Sequence, residues 1–345
     1  MAENSIIVAG SLSSEALERL QRVLRSSKAS NTLRAYRDDF EVFAAWCRSE
    51  GQKPMPAEGT VVAAFLAWYA ETHKASSCAR RLAGIVWCHK TAGFPKLGEH
   101  QAVQMAMEGI QRQLGTMPTR KAPVDGPTLG RMINTLTGTS LTDRRDRALL
   151  LIGYAGAFRR EALCALNVED LTLHPDRLDI VIRRDKNDQT GKGRIISVQR
   201  RPTSSNCAVQ ALAVWMTAAG IKAGPVFRAV TRHGAPSVTR LESKVVARVV
   251  KKAAFSAGLN PALYSRHSLR AGHITEAARR GARIDQIMRI SGHKSADMVM
   301  RYIRDADPLA GSSATKIWTD GPALAVVTQD GELDALLDEL DEDDL

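Results

Sequence analysis

Hydrophobic side chains in the first third of the chain recur every three or four residues. The spacing is clearest in SKASNTLRAYRDDFEVFAAWCRSEG, residues 27–51, which ends at a glycine. The same pattern returns in three later segments, 61–73, 76–93 and 99–115. None of them alternates as a strand does, so residues 1–115 are predicted to form a small helical bundle. TMPTRKAPVDGP, residues 116–127, contains three prolines and predicts a linker.

The pattern after the linker is mixed, and residues 128–320 are predicted to form a second domain. RRDRALLLIGYAGAF (144–158) predicts a buried helix, and REALCALNVEDL (160–171) predicts a second helix turning out of it. RLDIVIRR and RIISVQR are rich in β-branched residues and flank the polar tip DKNDQTGKG, residues 185–193. They predict a β-hairpin. The fold class is therefore mainly α with a small antiparallel sheet.

Two later segments combine apolar spacing with charge. SVTRLESKVVARVVKKAAFSAG (237–258) predicts a helix with a basic stripe formed by Arg240, Lys244, Arg248 and Lys251. Such a stripe is usually a solvated face. Residues 321–345 join an apolar run to an acidic amphipathic helix, which is either a solubilising tail or a segment that docks on a protein surface.

The net charge favours a binding role for the basic stripe over a merely solvated face. The chain carries +11, yet residues 330–345 hold nine acids and no base, so the first 329 residues carry +20. A body this basic predicts a polyanionic partner, with nucleic acid favoured over an anionic membrane surface. Arg34 and Arg37 in the first region are further candidate DNA contacts, beside the stripe of 237–258.

Location and redox state follow from what the sequence does not contain. No apolar run approaches the roughly 20 residues that span a bilayer, and no basic stretch precedes the short apolar patch at the N-terminus. The five cysteines form no CxxC pair, which indicates reduced thiols rather than a disulfide frame or a zinc site. We expect a cytoplasmic protein without a membrane partner.

Common catalytic motifs are missing, and a set of basic groups and tyrosines remains. There is no P-loop, HExxH, GxSxG or paired carboxylate motif, so a metal-dependent nuclease is disfavoured. RHSLRAG (266–272) places His267 and Arg270 three residues apart, and Arg159 directly follows a buried run. Taken singly, each has an ordinary interpretation. RHSLRAG would be a surface turn, Arg159 an arginine paired with an anion, and a tyrosine a packing side chain.

Together these groups can act on a phosphodiester. Two guanidiniums can hold its non-bridging oxygens and offset the charge of the transition state. A lysine or an imidazole can protonate the leaving alkoxide while a tyrosine oxygen attacks the phosphorus. The bond energy would be kept in a phosphotyrosyl ester, so no cofactor, metal or ATP would be needed.

These residues resemble the tyrosine site-specific recombinases, the family of lambda integrase and the Cre recombinase. GAFRREALCALNVEDL resembles the first-arginine box and RHSLRAG the H-x-x-R box, while SGHKSADMVMRYIR (291–304) resembles the last box. The hairpin RRDKNDQTGKGR resembles the one that carries the family lysine. The resemblance implies one catalytic set: Arg159, Lys186, His267, Arg270, His293 and the nucleophile Tyr302.

The chain departs from the family pattern in the first box. An acid usually stands three residues after the arginine, whereas this chain has Ala162 there and Glu161 one residue earlier. Arg160 competes with Arg159, although the spacing to Asp170 favours Arg159. In the hairpin, Lys192 and Arg194 compete with Lys186. His293 stands where some members have tryptophan, which allows a hydrogen-bonding role.

The resemblance also implies an assembly. It predicts a SAM-like core-binding domain and an α+β catalytic domain that clamp duplex DNA as a C, with a dimer on each specific recombination site and a homo-tetramer on DNA. Tyr302 would form a 3′-phosphotyrosyl bond, and two strand exchanges would pass through a Holliday junction. Residues 321–345 are the candidate segment for docking on a neighbouring protomer. Whether accessory proteins take part is left open.

Two rival functions use the same scaffold. A type IB topoisomerase would cut one strand and relax DNA without pairing two sites. A non-catalytic regulator would bind DNA and form no covalent adduct. The core-binding-like first domain favours the recombinase over the topoisomerase, and the complete candidate set argues against the regulator.

Overall fold

A computed structural model describes residues 15, 18, 19, 30–94, 97–117, 121–137, 140–185, 188 and 191–306. The chain divides into two compact units, Met1–Arg120 and Lys121–Leu345. Within the described ranges, no helix is both long and apolar enough to cross a membrane. The predicted docking segment, residues 321–345, lies outside the described residues.

The first unit is a helical bundle, as the apolar spacing predicted. Its described helices are α1 Ser30–Ser49, α2 Gly59–Ala70, α3 Ala75–Thr91 and α4 Gln101–Leu114. Their facing sides bury a core whose fully buried members include Phe43, Phe65, Leu66, Ile85 and Val103. Burial of these side chains, each contributing about 1.5–3 kcal/mol, stabilises the bundle.

A charged cluster in this bundle is centred on the buried Asp39. Asp39 is 1% exposed and is contacted by Nη1 of Arg80 at 2.5 Å and by Nη1 of Arg81 at 3.2 Å. Arg81 also donates to the Tyr69 hydroxyl at 2.6 Å, and its guanidinium lies 4.5 Å from the centre of that ring. The Tyr69 ring stacks on His73 at 3.7 Å. Asp39, the terminal nitrogens of Arg81 and the Tyr69 hydroxyl therefore all have partners inside the unit.

The second unit combines eight α-helices and five strands among its described residues. In chain order they are α5 Gly126–Asn134, α6 Leu141–Ala155, α7 Arg160–Ala165, β1 Leu171–Leu173, β2 Arg177–Ile182, β3 Arg194–Gln199, α8 Ala208–Ala218, β4 Arg228–Val230, β5 Pro236–Arg240, α9 Ser243–Ser256, α10 Ser268–Arg279, α11 Ile284–Ser291 and α12 Ala296–Ala306. Helix α6 is the predicted buried helix, and Trp215 of α8 is fully buried in the same core. The mainly helical class with small antiparallel sheets is confirmed.

The predicted hairpin is present, and it is part of a larger sheet. β2 pairs antiparallel with β3 in a register that sets Ile180 opposite Ile196, and β1 adds a third strand. β4 and β5 form a separate two-stranded sheet that the sequence did not predict. Both missed pairs include a strand of only three residues, too short to show alternation.

The prediction of one helix over 160–171 is wrong. Helix α7 ends at Ala165, and a short 3₁₀ turn from Val168 to Asp170 leads directly into β1. The Asp170 carboxylate accepts the backbone N–H of Asn167 at 2.9 Å and is contacted by Arg183 of the hairpin at 2.5 Å. These polar contacts favour a turn over continuation of the helix.

The predicted linker is also shorter than expected. Val124 is fully buried in the second unit, and its backbone N–H donates to Ser268 O at 2.9 Å. A Cβ on Gly272 would lie 1.7 Å from Val124 O, so only glycine admits this close approach of strand-like backbone to α10. The C-terminal part of the proline-rich segment therefore packs as part of the second unit.

Arg240 does not lie on the basic helix. It ends β5, three residues before α9 begins, and its guanidinium donates to Cys164 O at 2.7 Å and Asn167 Oδ1 at 2.6 Å. Its placement on the helical stripe was wrong, because the turn at Leu241–Glu242 starts a new element. The stripe itself is real: Lys244, Arg248 and Lys251 are exposed on α9, opposite the buried Val246, Val249 and Val250.

Candidate active site

Arg270 is the buried centre of the candidate site. It lies in the first turn of α10, is 3% exposed, and donates to Ala157 O at 2.8 Å and to Ser291 O at 2.5 Å. Burial and the nearby charge of Arg159 lower its pKa to about 10, so the guanidinium stays protonated at neutral pH. Its second terminal nitrogen faces His293 Nε2 at 3.0 Å.

His293 is held from both sides of its ring. Because a guanidinium can only donate, Nε2 accepts from Arg270, and Nδ1 then carries the proton and donates to Ser291 Oγ at 2.9 Å. Burial first, and then the charge of Arg270, lower the pKa of His293 to about 4. The ring is therefore neutral at physiological pH.

Tyr302 lies on α12 beside this imidazole. Its ring centroid is 6.0 Å from that of His293, and its apolar face packs against the small core of Ile274, Ile287 and Val299. No described residue hydrogen-bonds its hydroxyl. The ring thus packs as a core aromatic does, while the hydroxyl is available for chemistry.

Arg159 reaches the site from the turn before α7. It is the N-cap residue of that helix, and its side chain is 12% exposed. Its Nη1 donates to Oδ2 of Asp185, and Arg194 Nη2 lies 3.8 Å from the same oxygen. Asp185 is a site residue that sequence reasoning missed, because only the course of the hairpin brings it to the first-arginine box.

The two alternatives for the first box are separated by their contacts. Arg160 pairs with Glu161 at 2.6 Å, and the Glu161 side chain is 55% exposed. Glu161 makes no contact with Arg159 within the described residues. The acid beside Arg159 therefore comes from the hairpin and not from the missing position of the box.

Arg194, at the start of β3, ties the hairpin to the last box. Its Nη1 donates to Ile290 O at 2.5 Å and to Arg289 O at 3.2 Å, at the end of α11. Gly292 follows with φ +67, and a Cβ there would lie 2.9 Å from Arg194 Nε. A cavity of about 190 Å³ opens beside these groups and is lined by Asp185, Arg194 and His293, among others.

The remaining predicted residues are not all brought into this cluster. His267 immediately precedes α10, and its Nε2 accepts from the neighbouring Arg266 at 3.0 Å. Partial burial and the charge of Arg266 lower its pKa, although much of the side chain stays exposed. Lys186 lies outside the described residues, and Lys192 is exposed on the hairpin.

The candidate DNA contacts are all exposed, and one of them is also hydrogen-bonded within the fold. Arg34 and Arg37 are exposed on α1 of the first unit. Lys244 pairs with Glu242 at 2.6 Å, an exposed pair that contributes little to stability. Arg240, although exposed, already donates from its guanidinium to Cys164 O and Leu166 O within the fold.

Comparison with known proteins gives a consistent result. Residues 128–308 match the phage integrase family, and residues 17–92 match its N-terminal SAM-like domain. An integrase/recombinase XerD homologue of Selenomonas ruminantium is 37% identical over 303 residues, covering 86% of this chain and 88% of the relative. The recombinase Cre of Escherichia phage P1 is 24% identical over 290 residues, covering 78% and 82%.

Solved structures share the fold. The XerH recombinase bound to a palindromic difH substrate superposes with a TM-score of 0.58 at 16% identity, covering 90% of this chain and 86% of that one. A lambda integrase dimer bound to a COC′ core site gives 0.57 at 14% identity, covering 90% and 79%. The topoisomerase alternative is not favoured by these relatives. The chain belongs to the phage integrase family, the tyrosine site-specific recombinases, which act by DNA transesterification.

Proposed function

We propose that Tyr302 is the nucleophile of this recombinase and that Arg159 and Arg270 hold the scissile phosphate. The observation that carries this proposal is the chain of contacts from Arg270 through the neutral His293 to the Tyr302 ring. It supports a site in which a buried positive charge and an unpartnered phenol face the same region.

The chemistry follows from these groups. Attack by the Tyr302 oxygen forms the 3′-phosphotyrosyl bond and releases a 5′-hydroxyl. Arg159 and Arg270 offset the charge that develops on the non-bridging oxygens. When Arg270 turns to the phosphate, the proton of the neutral His293 shifts to Nε2, which then donates to the phosphate, and Ser291 Oγ donates to Nδ1 in exchange. Lys186 is the proposed donor of the proton to the leaving oxygen, and His267 the proposed acceptor of the phenolic proton.

We extend the proposal to the substrate and assembly. The XerH recombinase and the lambda integrase dimer were bound to DNA in their solved structures, and a lambda integrase tetramer was bound to a Holliday junction. The exposed basic residues of α1 and α9 support a double-stranded DNA partner here, and a tetramer with a dimer on each site. Residues 321–345 are the proposed docking segment between protomers.

The nucleophile is tested with a DNA substrate nicked near the cleavage position, so that the covalent adduct is trapped. Selection of bound sequences from a random DNA pool supplies the target site. We expect an adduct with the wild-type chain and none with Tyr302→Phe. Tyr264→Phe, at a buried tyrosine near the His267 box, is the matched control and should keep the adduct.

An adduct that persists in Tyr302→Phe would overturn the assignment and point to Tyr264. Binding itself should weaken steeply with salt. About 6–10 phosphate contacts would reduce affinity by about 10³–10⁵ between 50 and 200 mM salt. Specific binding by the wild-type chain with no adduct would favour the regulator, and relaxation of plasmid DNA that carries no target site would favour the topoisomerase.

A further inference from the structure

We propose that Asp185, on the hairpin, is the carboxylate that positions Arg159 for catalysis. The inference rests on the proposed function, because Arg159 must contact the scissile phosphate for its position to matter. The hairpin would then supply the acid that the first-arginine box of this chain lacks at Ala162.

The first support is that, among the described residues, the acid paired with Arg159 is Asp185. Ala162 occupies the position where an acid would be expected, and Glu161 turns away to pair with Arg160. Asp185 is 7% exposed at its side chain and accepts directly from Arg159 Nη1. A guanidinium that is only 12% exposed is costly without an anion beside it, and Asp185 meets that requirement.

The second support is that Asp185 is itself held in place. Arg194 lies 3.8 Å from the same carboxylate oxygen that Arg159 contacts. Arg194 is in turn anchored by the carbonyls of Arg289 and Ile290, two residues that lead into the Gly292–His293 turn. The carboxylate therefore occupies a position defined by rigid elements on both sides.

The third support is the charge of the site. Arg159, Arg194 and Arg270 bring three positive charges, and their mutual repulsion and burial lower the pKa of Arg194 and Arg270. One carboxylate reduces the total to +2, which leaves an excess for a phosphodiester that carries one negative charge. Asp185 orients one donor of Arg159 and leaves the others to face the phosphate.

The test compares two substrates in the same variant. The rate of adduct formation is measured on the nicked substrate with a scissile phosphate and on one with a scissile methylphosphonate, in which a neutral methyl replaces one charged oxygen. Arg159 matters most when that charge is present. The measured quantity is the rate on the phosphate divided by the rate on the methylphosphonate. For Asp185→Asn, this ratio should fall by about 10–100-fold, the size typical of losing an orienting partner.

The ratio is independent of the fraction of folded protein, because both rates come from the same preparation. Glu161→Gln, at the neighbouring exposed acid, is the matched control and should keep the wild-type ratio. Arg159→Ala should lower the ratio in the same direction as Asp185→Asn. In the Arg159→Ala background, the Asp185→Asn change should then alter the ratio less than about 2-fold.

An unchanged ratio in Asp185→Asn would overturn the proposal. So would a faster reaction on the phosphate, because Asp185 would then compete with the substrate for Arg159. Failure of the proposed function is distinguished by the parent chain and by Tyr302→Phe, measured beside the variants. If the parent forms no adduct, or if Tyr302→Phe still forms one, the proposed function fails and this inference fails with it.

Discussion

The two units each contain a cluster of arginine, aspartate, tyrosine and histidine, and the clusters differ in how much of the charge is neutralised. In the first unit Asp39 is the most buried member, and two arginines contact it directly. Arg81 donates a hydrogen bond to the Tyr69 hydroxyl, and the His73 ring stacks on the Tyr69 ring. The carboxylate of that cluster and its tyrosine hydroxyl are thus both bound by arginine within the fold.

In the second unit the arginine is the most buried member. Arg270 donates hydrogen bonds to two backbone carbonyls and a neutral imidazole, none of which carries a negative charge. Asp185 partners Arg159, and the described residues leave the Tyr302 hydroxyl without a partner. The same side chains therefore stabilise a fold when each arginine lies on a carboxylate, and favour an anionic substrate when a buried arginine such as Arg270 does not.

The largest expected difference is in catalysis. Arg270→Ala should slow adduct formation by about 10²–10³-fold or more, because a donor aimed at the developing charge is lost. Arg81→Ala, at the buried arginine of the first unit, should change the rate at saturating DNA by less than about 3-fold. Both rates are measured on the nicked substrate, and equal losses would show that the two clusters do not differ in function.

The next difference is in stability. Asp39→Asn should destabilise the first unit by about 3 kcal/mol, because Arg81, only 7% exposed, loses the charge that pairs it. Urea unfolding followed by hydrogen exchange in α1 and α3 measures the effect. The adduct rate of the protein that remains folded should stay at the wild-type level. A loss under about 1 kcal/mol would contradict a structural role for this cluster.

The pH dependence sharpens the comparison further. His293 has a pKa of about 4 in the folded chain, against about 6.5 in an unfolded one. Between these values the unfolded chain binds more protons, so stability is full above pH 6.5 and is lost as the pH falls toward 4. At pH 5 the loss for this one histidine is about 2 kcal/mol relative to pH 8.

His293→Gln removes that titration. Its unfolding free energy should therefore fall by about 2 kcal/mol less than that of the parent between pH 8 and pH 5. Urea unfolding curves at the two pH values measure this difference. Identical losses in the parent and the variant would mean that His293 is not held neutral by burial and Arg270.

The smallest effect concerns the backbone. The first cluster rests on regular helices, whereas Ala157, whose carbonyl accepts from Arg270, has φ +47. An alanine in this region costs about 1–2 kcal/mol, and glycine avoids the cost while losing more entropy on folding. Ala157→Gly should stabilise the second unit by about 0.5–1 kcal/mol in thermal or urea unfolding. A destabilised variant would show that the methyl group packs well enough to outweigh the strain.

The sequence was informative where the chemistry is local. The helical periodicity of residues 27–115 predicted the bundle, and the H-x-x-R and G-H-x₈-Y spacings pointed to Arg270, His293 and Tyr302 as candidates, which the fold brings together. Each motif is local in itself, because its residues share one short helix or turn, whereas the 23-residue separation of Arg270 and His293 was bridged only by the family resemblance.

The sequence was less informative where contacts are long-range. Asp185 lies 26 residues from Arg159, and their contact depends on how the β2–β3 hairpin folds back. Arg240 was assigned to a helix because no glycine or proline marks the end of β5. The roles of Lys186 and of residues 321–345 stay predictions, since both lie outside the described residues.

Gly292 constrains any redesign of this protein. Its left-handed backbone and the nearness of Arg194 leave space for a hydrogen atom alone. Libraries that retarget the recombinase to new DNA sites can vary the exposed face of α9, because no hydrogen bond or ion pair among the described residues joins that face to Arg159, Arg194 or Arg270. Diversity introduced at position 292 would instead push Arg194 from Ile290 O and loosen Asp185 and His293 together, so that mutants of altered specificity would be lost before they could be selected.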